Sequence, residues 1–166
     1  MWLYKQMALY QAYHKDKRNI ICHFLGVPLI IFGFLSSLSV VTVITVVDFP
    51  IRLSSIIFII LIAFYSWHHL IIGLFALILY LPLLVFAQEV WVLSSYLSWS
   101  LILCSFLIGS ALQLLGHFLE GKKPAFLDNF IQVFIAPAFL ATEIIFLFGF
   151  LNSVRTTICE LSLQVD

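Results

Sequence analysis

The sequence is poor in charge. Only 10% of its 166 residues are Asp, Glu, Lys or Arg, against roughly a quarter in an ordinary soluble domain. Eight Lys and Arg balance eight Asp and Glu, which leaves no basic surface for nucleic acid and no acidic tail. Cysteine is sparse as well. Cys22, Cys104 and Cys159 are odd in number and far apart without a CxxC, which argues against a disulfide framework or a thiolate zinc site and for buried free thiols. No glycine-rich dinucleotide motif is present, and the five histidines form no HxxxH or HxxHH box. Apolar residues, in contrast, make up 63% of the chain, and the mean hydropathy is +1.15. That composition suits a bilayer. The expected fold is all-α, a multi-pass transmembrane helical bundle in which residues 1–166 form a single integral membrane domain.

Charges mark where such a chain leaves hydrocarbon, because an ionised side chain is costly there. The first nineteen residues, MWLYKQMALYQAYHKDKRN, are too long and polar for the start of a signal peptide, and no clean cleavage site follows. Residues 1–23 therefore read as a cytoplasmic or interfacial segment. Between Arg18 and Asp48 lie 29 uncharged residues, enough for one crossing near 24–47. The 36 uncharged residues between Arg52 and Glu89 would make a helix about 54 Å long, too much for one crossing. A turn at Trp67-His68-His69 divides them into spans near 53–66 and 70–87. Further spans are expected near 96–116 and 130–151, about five in all.

With the N-terminus in the cytoplasm, Lys5, Lys15, Lys17, Arg18, Lys122 and Lys123 fall inside and Arg52 and Arg155 outside, in accord with the positive-inside rule. His14, His23, His68, His69 and His117 then all lie at the cytoplasmic face.

Two clusters carry chemistry. In YHKDKRNIICHFLGVP, residues 13–28, helical geometry puts Asp16, Asn19 and His23 on one face, while His14 points the opposite way. One site takes both histidines only if the helix breaks between them. In QLLGHFLEGKKPAFLDN, residues 113–129, Gln113, His117 and Glu120 share a face at i, i+4, i+7, so an imidazole and a carboxylate can reach one metal beside an amide. Histidine with carboxylate suits non-haem iron or zinc. Gly116 admits a second helix, and Pro124 ends this one. Each cluster also has a bland reading, as a solvated span end whose bases meet lipid headgroups. Glu143, six residues after Pro137 in an apolar run, is either functional or hydrogen-bonded between helices.

These residues resemble a known family. Tyr13-His14 through Asn19, His23-Phe24-Leu25-Gly26-Val27-Pro28, Gln113-Leu114-Leu115-Gly116-His117, Glu120, Lys122 to Ala125, Asp128-Asn129, Ala136-Pro137 and Glu143 look like the Mpo1-like family in order and spacing. Ser110 stands where members often carry tryptophan. The resemblance implies an iron(II)-dependent dioxygenase that shortens a 2-hydroxy fatty acid by one carbon using O2, the α-oxidation step in breakdown of phytosphingosine-derived sphingolipids. The membrane would be the endoplasmic reticulum in a eukaryote and the inner membrane in a bacterium. His14, His23 and His117 match the family's histidines as metal ligands, with His23, His117 and Glu120 catalytic. His68 and His69 join the expected ligand set through topology alone. Arg18, Lys122 and Lys123 are expected to pair with the substrate carboxylate, Asn19 and Gln113 to contact substrate, and lipid to surround the acyl chain.

Other readings remain from the residues themselves. A haem protein would use paired axial histidines and show visible absorption. A small transporter or lipid-binding scaffold would use His117, Glu120 and Glu143 for proton relay or mutual satisfaction and hold no stoichiometric metal.

Overall fold

The computed structural model describes residues 1–164, which are mostly helical. In chain order they form α1 (Trp2–Ala12), α2 (Lys17–Leu38), a hairpin of β1 (Thr42–Val46) and β2 (Phe49–Arg52), α3 (Leu53–His68), α4 (Leu70–Glu89), α5 (Ser95–Glu120), α6 (Gln132–Leu147) and α7 (Asn152–Ser162). Three segments, Lys17–Leu38, Leu70–Val92 and Ser95–Glu120, are helices long and apolar enough to cross a membrane, and α3 and α6 are shorter apolar helices. Exposed aliphatic and aromatic side chains such as Ile59, Ile78, Phe86 and Leu107 cover their outer faces.

The α2–α5 pair is the frame of the site. Gly26 and Gly33 on α2 and Gly109 and Gly116 on α5 repeat at seven residues, so each helix presents a groove of small residues to the other. A Cβ on Gly26 would stand 2.9 Å from the Gly109 carbonyl oxygen, and one on Gly33 would stand 2.7 Å from Ser105 Oγ. Gly116 has Asn19 and Cys22 packed directly on it. Close backbone approach of this kind is how helices associate without a hydrophobic driving force.

Four expectations are corrected. The first span does not run to Val47: α2 ends at Leu38, and the β-branched run after Val40 forms a two-stranded antiparallel hairpin with Thr42 opposite Arg52 and Val46 opposite Phe49. Val47 and Asp48 make its two-residue turn, both with positive φ (46° and 65°), the geometry of tight hairpins. Hydropathy cannot separate such a strand from a helix end; β-branching does. The fold is thus helical with one small exposed sheet.

The last apolar run does not form one helix over residues 130–151. α6 stops at Leu147, and both of its ends meet the histidine end of the bundle: Gln132 donates to Gln6 Oε1 at 2.9 Å, and Glu143 lines a cavity with Lys17, Ile20 and Phe24 at the start of α2. α7 then packs along α1. Arg155, expected on the opposite face, consequently lies with α1 at the histidine end. Finally, Cys22 is a buried free thiol as expected, but Cys104 and Cys159 are exposed.

The α3–α4 turn falls where expected. His69 is extended (φ −160°, ψ 106°), and its imidazole accepts from the Ile72 amide at 3.4 Å to cap α4.

Candidate metal centre

The break that two histidines on one site require is present. α1 ends at Ala12, and Asp16 caps α2 by accepting from the Arg18 amide at 2.8 Å, so residues 13–16 turn the chain between two helices. His14 sits in that turn, His23 two turns into α2, and His117 in the last turn of α5. All three are buried. One ring nitrogen from each lies within 4.8 Å of the others, the one such group among the described residues. Ring centroids are 4.3 Å apart for His14 and His23 and 4.9 Å for each with His117.

The hydrogen bonds fix what these rings present. His14 Nδ1 lies 2.6 Å from the Tyr10 carbonyl oxygen and His23 Nδ1 lies 3.0 Å from that of Asn19. A carbonyl only accepts, so both Nδ1 atoms carry the hydrogen and both Nε2 atoms present lone pairs. Those two Nε2 atoms face each other at 3.0 Å. Two lone pairs at that distance repel unless a cation lies between them. A proton is a poor candidate, since burial, helped by the His23 ring, drives the His14 imidazole down to about 3. His117 Nδ1 is buried with no hydrogen-bond partner. Three converging buried imidazoles, two of them oriented from behind by the Tyr10 and Asn19 carbonyls, are a donor set for a divalent transition metal.

The depressed pKa gives a pH dependence in the metal-free protein. Below its ordinary value of 6.5 the unfolded chain takes up a proton at His14 that the folded chain refuses until about pH 3, so stability falls as pH drops through that window. The unfolding midpoint of metal-free protein is expected to fall more between pH 7 and pH 5 than that of His14→Gln; equal falls would show that His14 is not held neutral.

The other expected ligands lie elsewhere. His68 lies against Phe64 and Trp2, tilted by 51° to each, with ring centroids at 4.6 and 5.4 Å, and His69 lies beside Tyr4. α1, about 16 Å long, separates this pair from His14, because its start meets His68 and its end leads into the turn. Glu120 is not among the converging ligand atoms either. Its Oε1 accepts from the Lys15 amide at 2.7 Å and its Oε2 from Asn19 Nδ2 at 2.6 Å.

The expected substrate contacts divide. Asn19 is fully buried and Gln113 packs beside Gly26, both in the α2–α5 interface. Arg18 is paired with Asp16 at 2.7 Å and Lys123 with Asp128 at 2.6 Å, both on the exposed rim. Lys122 lies closer in: Nζ donates to the Ala12 carbonyl oxygen at 2.8 Å, and its charge is felt at His14. Tyr10, not singled out in the sequence, forms the back wall by stacking on His14 at 4.0 Å and 7°. Its signal was the four-residue spacing Tyr10–His14, the same as Asn19–His23.

The sequence profile described as 2-hydroxy-palmitic acid dioxygenase Mpo1-like matches residues 3–147. The chain belongs to the Mpo1-like family. It is 30% identical over 164 residues to the 2-hydroxy-palmitic acid dioxygenase MPO1 of Saccharomyces cerevisiae, an alignment covering 94% of this chain and 87% of that protein. No solved structure matches. All three converging histidines fall inside the matched region.

Proposed function

We propose that this Mpo1-like protein is an iron(II)-dependent dioxygenase that converts a 2-hydroxy fatty acid and O2 to the fatty acid one carbon shorter, CO2 and water. The observation that carries the reading is the pair of bare Nε2 atoms of His14 and His23 at 3.0 Å, with His117 completing the group. His14, His23 and His117 would hold the metal. Iron(II), when bound there, would supply the Lewis-acid and redox chemistry that couples O2 to a 2-hydroxy acid. No outside reductant is needed, because C2, passing from alcohol to carboxylic acid, gives up three electrons and C1, passing from carboxylate to CO2, gives up one, together the four that O2 accepts.

The protein's own groups bind and orient. Lys122 is the cation best placed for the substrate carboxylate, by turning from the Ala12 carbonyl toward the histidines. Tyr10 and its neighbour Phe139, ring centroids 4.8 Å apart, keep water from the back of the site. The acyl chain would lie against lipid-facing helices, which accounts for an enzyme this apolar. Lys5, Lys15, Lys17, Arg18, Lys122, Lys123 and Arg155 at the histidine end, against Arg52 at the hairpin end, support a site that faces the cytoplasm. Breakdown of sphingolipid-derived hydroxy acids is the corresponding physiological role.

The test is oxygen consumption by anaerobically purified protein supplied with iron(II) and 2-hydroxypalmitate. One O2 consumed and one CO2 released per pentadecanoate formed is expected, with none on zinc substitution. Iron-loaded protein that consumes no O2 with 2-hydroxy acids of any chain length would end the proposal.

A further inference from the structure

The three histidines are not held alike. His23 and His117 ride on α2 and α5, whose separation is set by backbone packing at Gly26, Gly109 and Gly116. His14 has no such support. It sits in a four-residue break whose direction decides whether its ring meets His23 or turns out of the bundle. Behind the ring, Tyr10 stacks on it and accepts from its Nδ1, and the break itself is tied down from the helix opposite. Glu120, one turn beyond His117, accepts from the Lys15 amide, next to His14, with one carboxylate oxygen at 2.7 Å. Its other oxygen accepts from Asn19 Nδ2 at 2.6 Å. The same Asn19 nitrogen lies 3.4 Å from the Tyr13 carbonyl oxygen, on the other side of His14, and the Asn19 carbonyl accepts from His23. Asn19 Oδ1 has no hydrogen-bond partner and rests on Gly116, next to His117, so the clamp exists only because residue 116 lacks a side chain.

We propose that Glu120 is the positioning residue for His14: with Asn19 it clamps the Tyr13–Asp16 break onto the end of α5 and so brings an imidazole from a third segment to the other two. The proposal rests on the metal reading above and deepens it. Glu120 is suited to the task because a carboxylate accepts at both oxygens. Glutamine would keep one acceptor and set an NH2 against the other donor, and aspartate would fall about one methylene short. Charge-assisted bonds of this kind are about twice as strong as neutral ones, which gives the break a defined direction without helical backbone. The carboxylate is thereby engaged on both oxygens and is not spare for a metal.

Cobalt(II), whose visible bands report coordination, tests this on the full chain in detergent with wild type, Glu120→Gln, His14→Ala and the double variant. Glu120→Gln should weaken cobalt affinity about 10- to 100-fold and shift the spectrum toward that of His14→Ala. The double variant should bind no more weakly than His14→Ala alone, because a residue acting only through His14 has nothing left to contribute. Wild-type affinity in Glu120→Gln, or losses that multiply in the double variant as for a fourth ligand, would overturn the proposal. Hydrogen exchange on metal-free protein gives a second readout. Glu120→Ala should speed exchange of the Lys15 amide while amides mid-way along α2 and α5 stay protected; unchanged Lys15 protection would overturn the clamp. If wild type takes up no cobalt, the metal reading fails by itself and hydrogen exchange decides the clamp.

Discussion

Alanine at His23 or at His117 is expected to bring bound metal and oxygen consumption to background while the chain remains folded and membrane-inserted. Each imidazole is one of three converging donors, and replacing groups that merely orient a ligand already costs about 10- to 100-fold in affinity, so losing a donor itself should cost more. The same substitutions separate a metal centre from a structural cluster. In a structural cluster every polar atom has a partner, and removing one member leaves a buried group unsatisfied at about 1–3 kcal/mol. Here the two facing Nε2 atoms, 3.0 Å apart, are already unfavourable without a cation. Metal-free His23→Leu, which fills the space of the ring, should therefore unfold no more readily than metal-free wild type. A lower unfolding midpoint with oxygen consumption intact would point to structure rather than catalysis.

Gly26→Ala carries the second large effect, through the backbone. The new Cβ would meet the Gly109 carbonyl oxygen at 2.9 Å and Leu112 Cβ at 3.2 Å. A main-chain oxygen cannot step aside as the end of a flexible side chain can, so α2 and α5 must move apart. Overpacking of this kind costs about 1–3 kcal/mol. Gly26 is one turn from His23, and His117 is on the helix displaced, so metal affinity should fall with the unfolding midpoint. Leu114→Val, on the exposed face of α5, should change neither. Unfolding in detergent with metal titration reads both; wild-type behaviour of Gly26→Ala would mean that the close crossing does not hold the site.

Much of the centre was legible because its geometry is local. The shared face of Asp16, Asn19 and His23 and the need for a break between His14 and His23 follow from helical periodicity; the structure puts that break at residues 13–16, with Asp16 as the cap of α2. Gly116 before His117 announced a close crossing. Reading failed where hydropathy stood in for conformation. Val40 to Val47 is as apolar as a span yet β-branched, and it pairs as a strand. The apolar run 130–151 outlasts its helix: α6 ends at Leu147, with Gln132 buried against Gln6 and Glu143 facing the start of α2. His68 and His69 meet the start of α1 while His14 follows its end, a separation that spacing along the sequence does not contain. Glu120 was found as a residue whose role the periodicity could not supply. Its spacing allowed a ligand, and only the positions of the Lys15 amide and Asn19 reveal that both carboxylate oxygens are already engaged.

The central claim is that imidazoles from the α1–α2 turn, α2 and α5 hold one metal ion. Metal quantification per chain after anaerobic purification, on wild type and on each of His14→Ala, His23→Ala and His117→Ala, tests it most directly. One iron per wild-type chain, lost in His23→Ala and His117→Ala and strongly weakened in His14→Ala, is the expected result. Wild-type protein that cannot be loaded with any divalent metal, or full loading in all three variants, would contradict it.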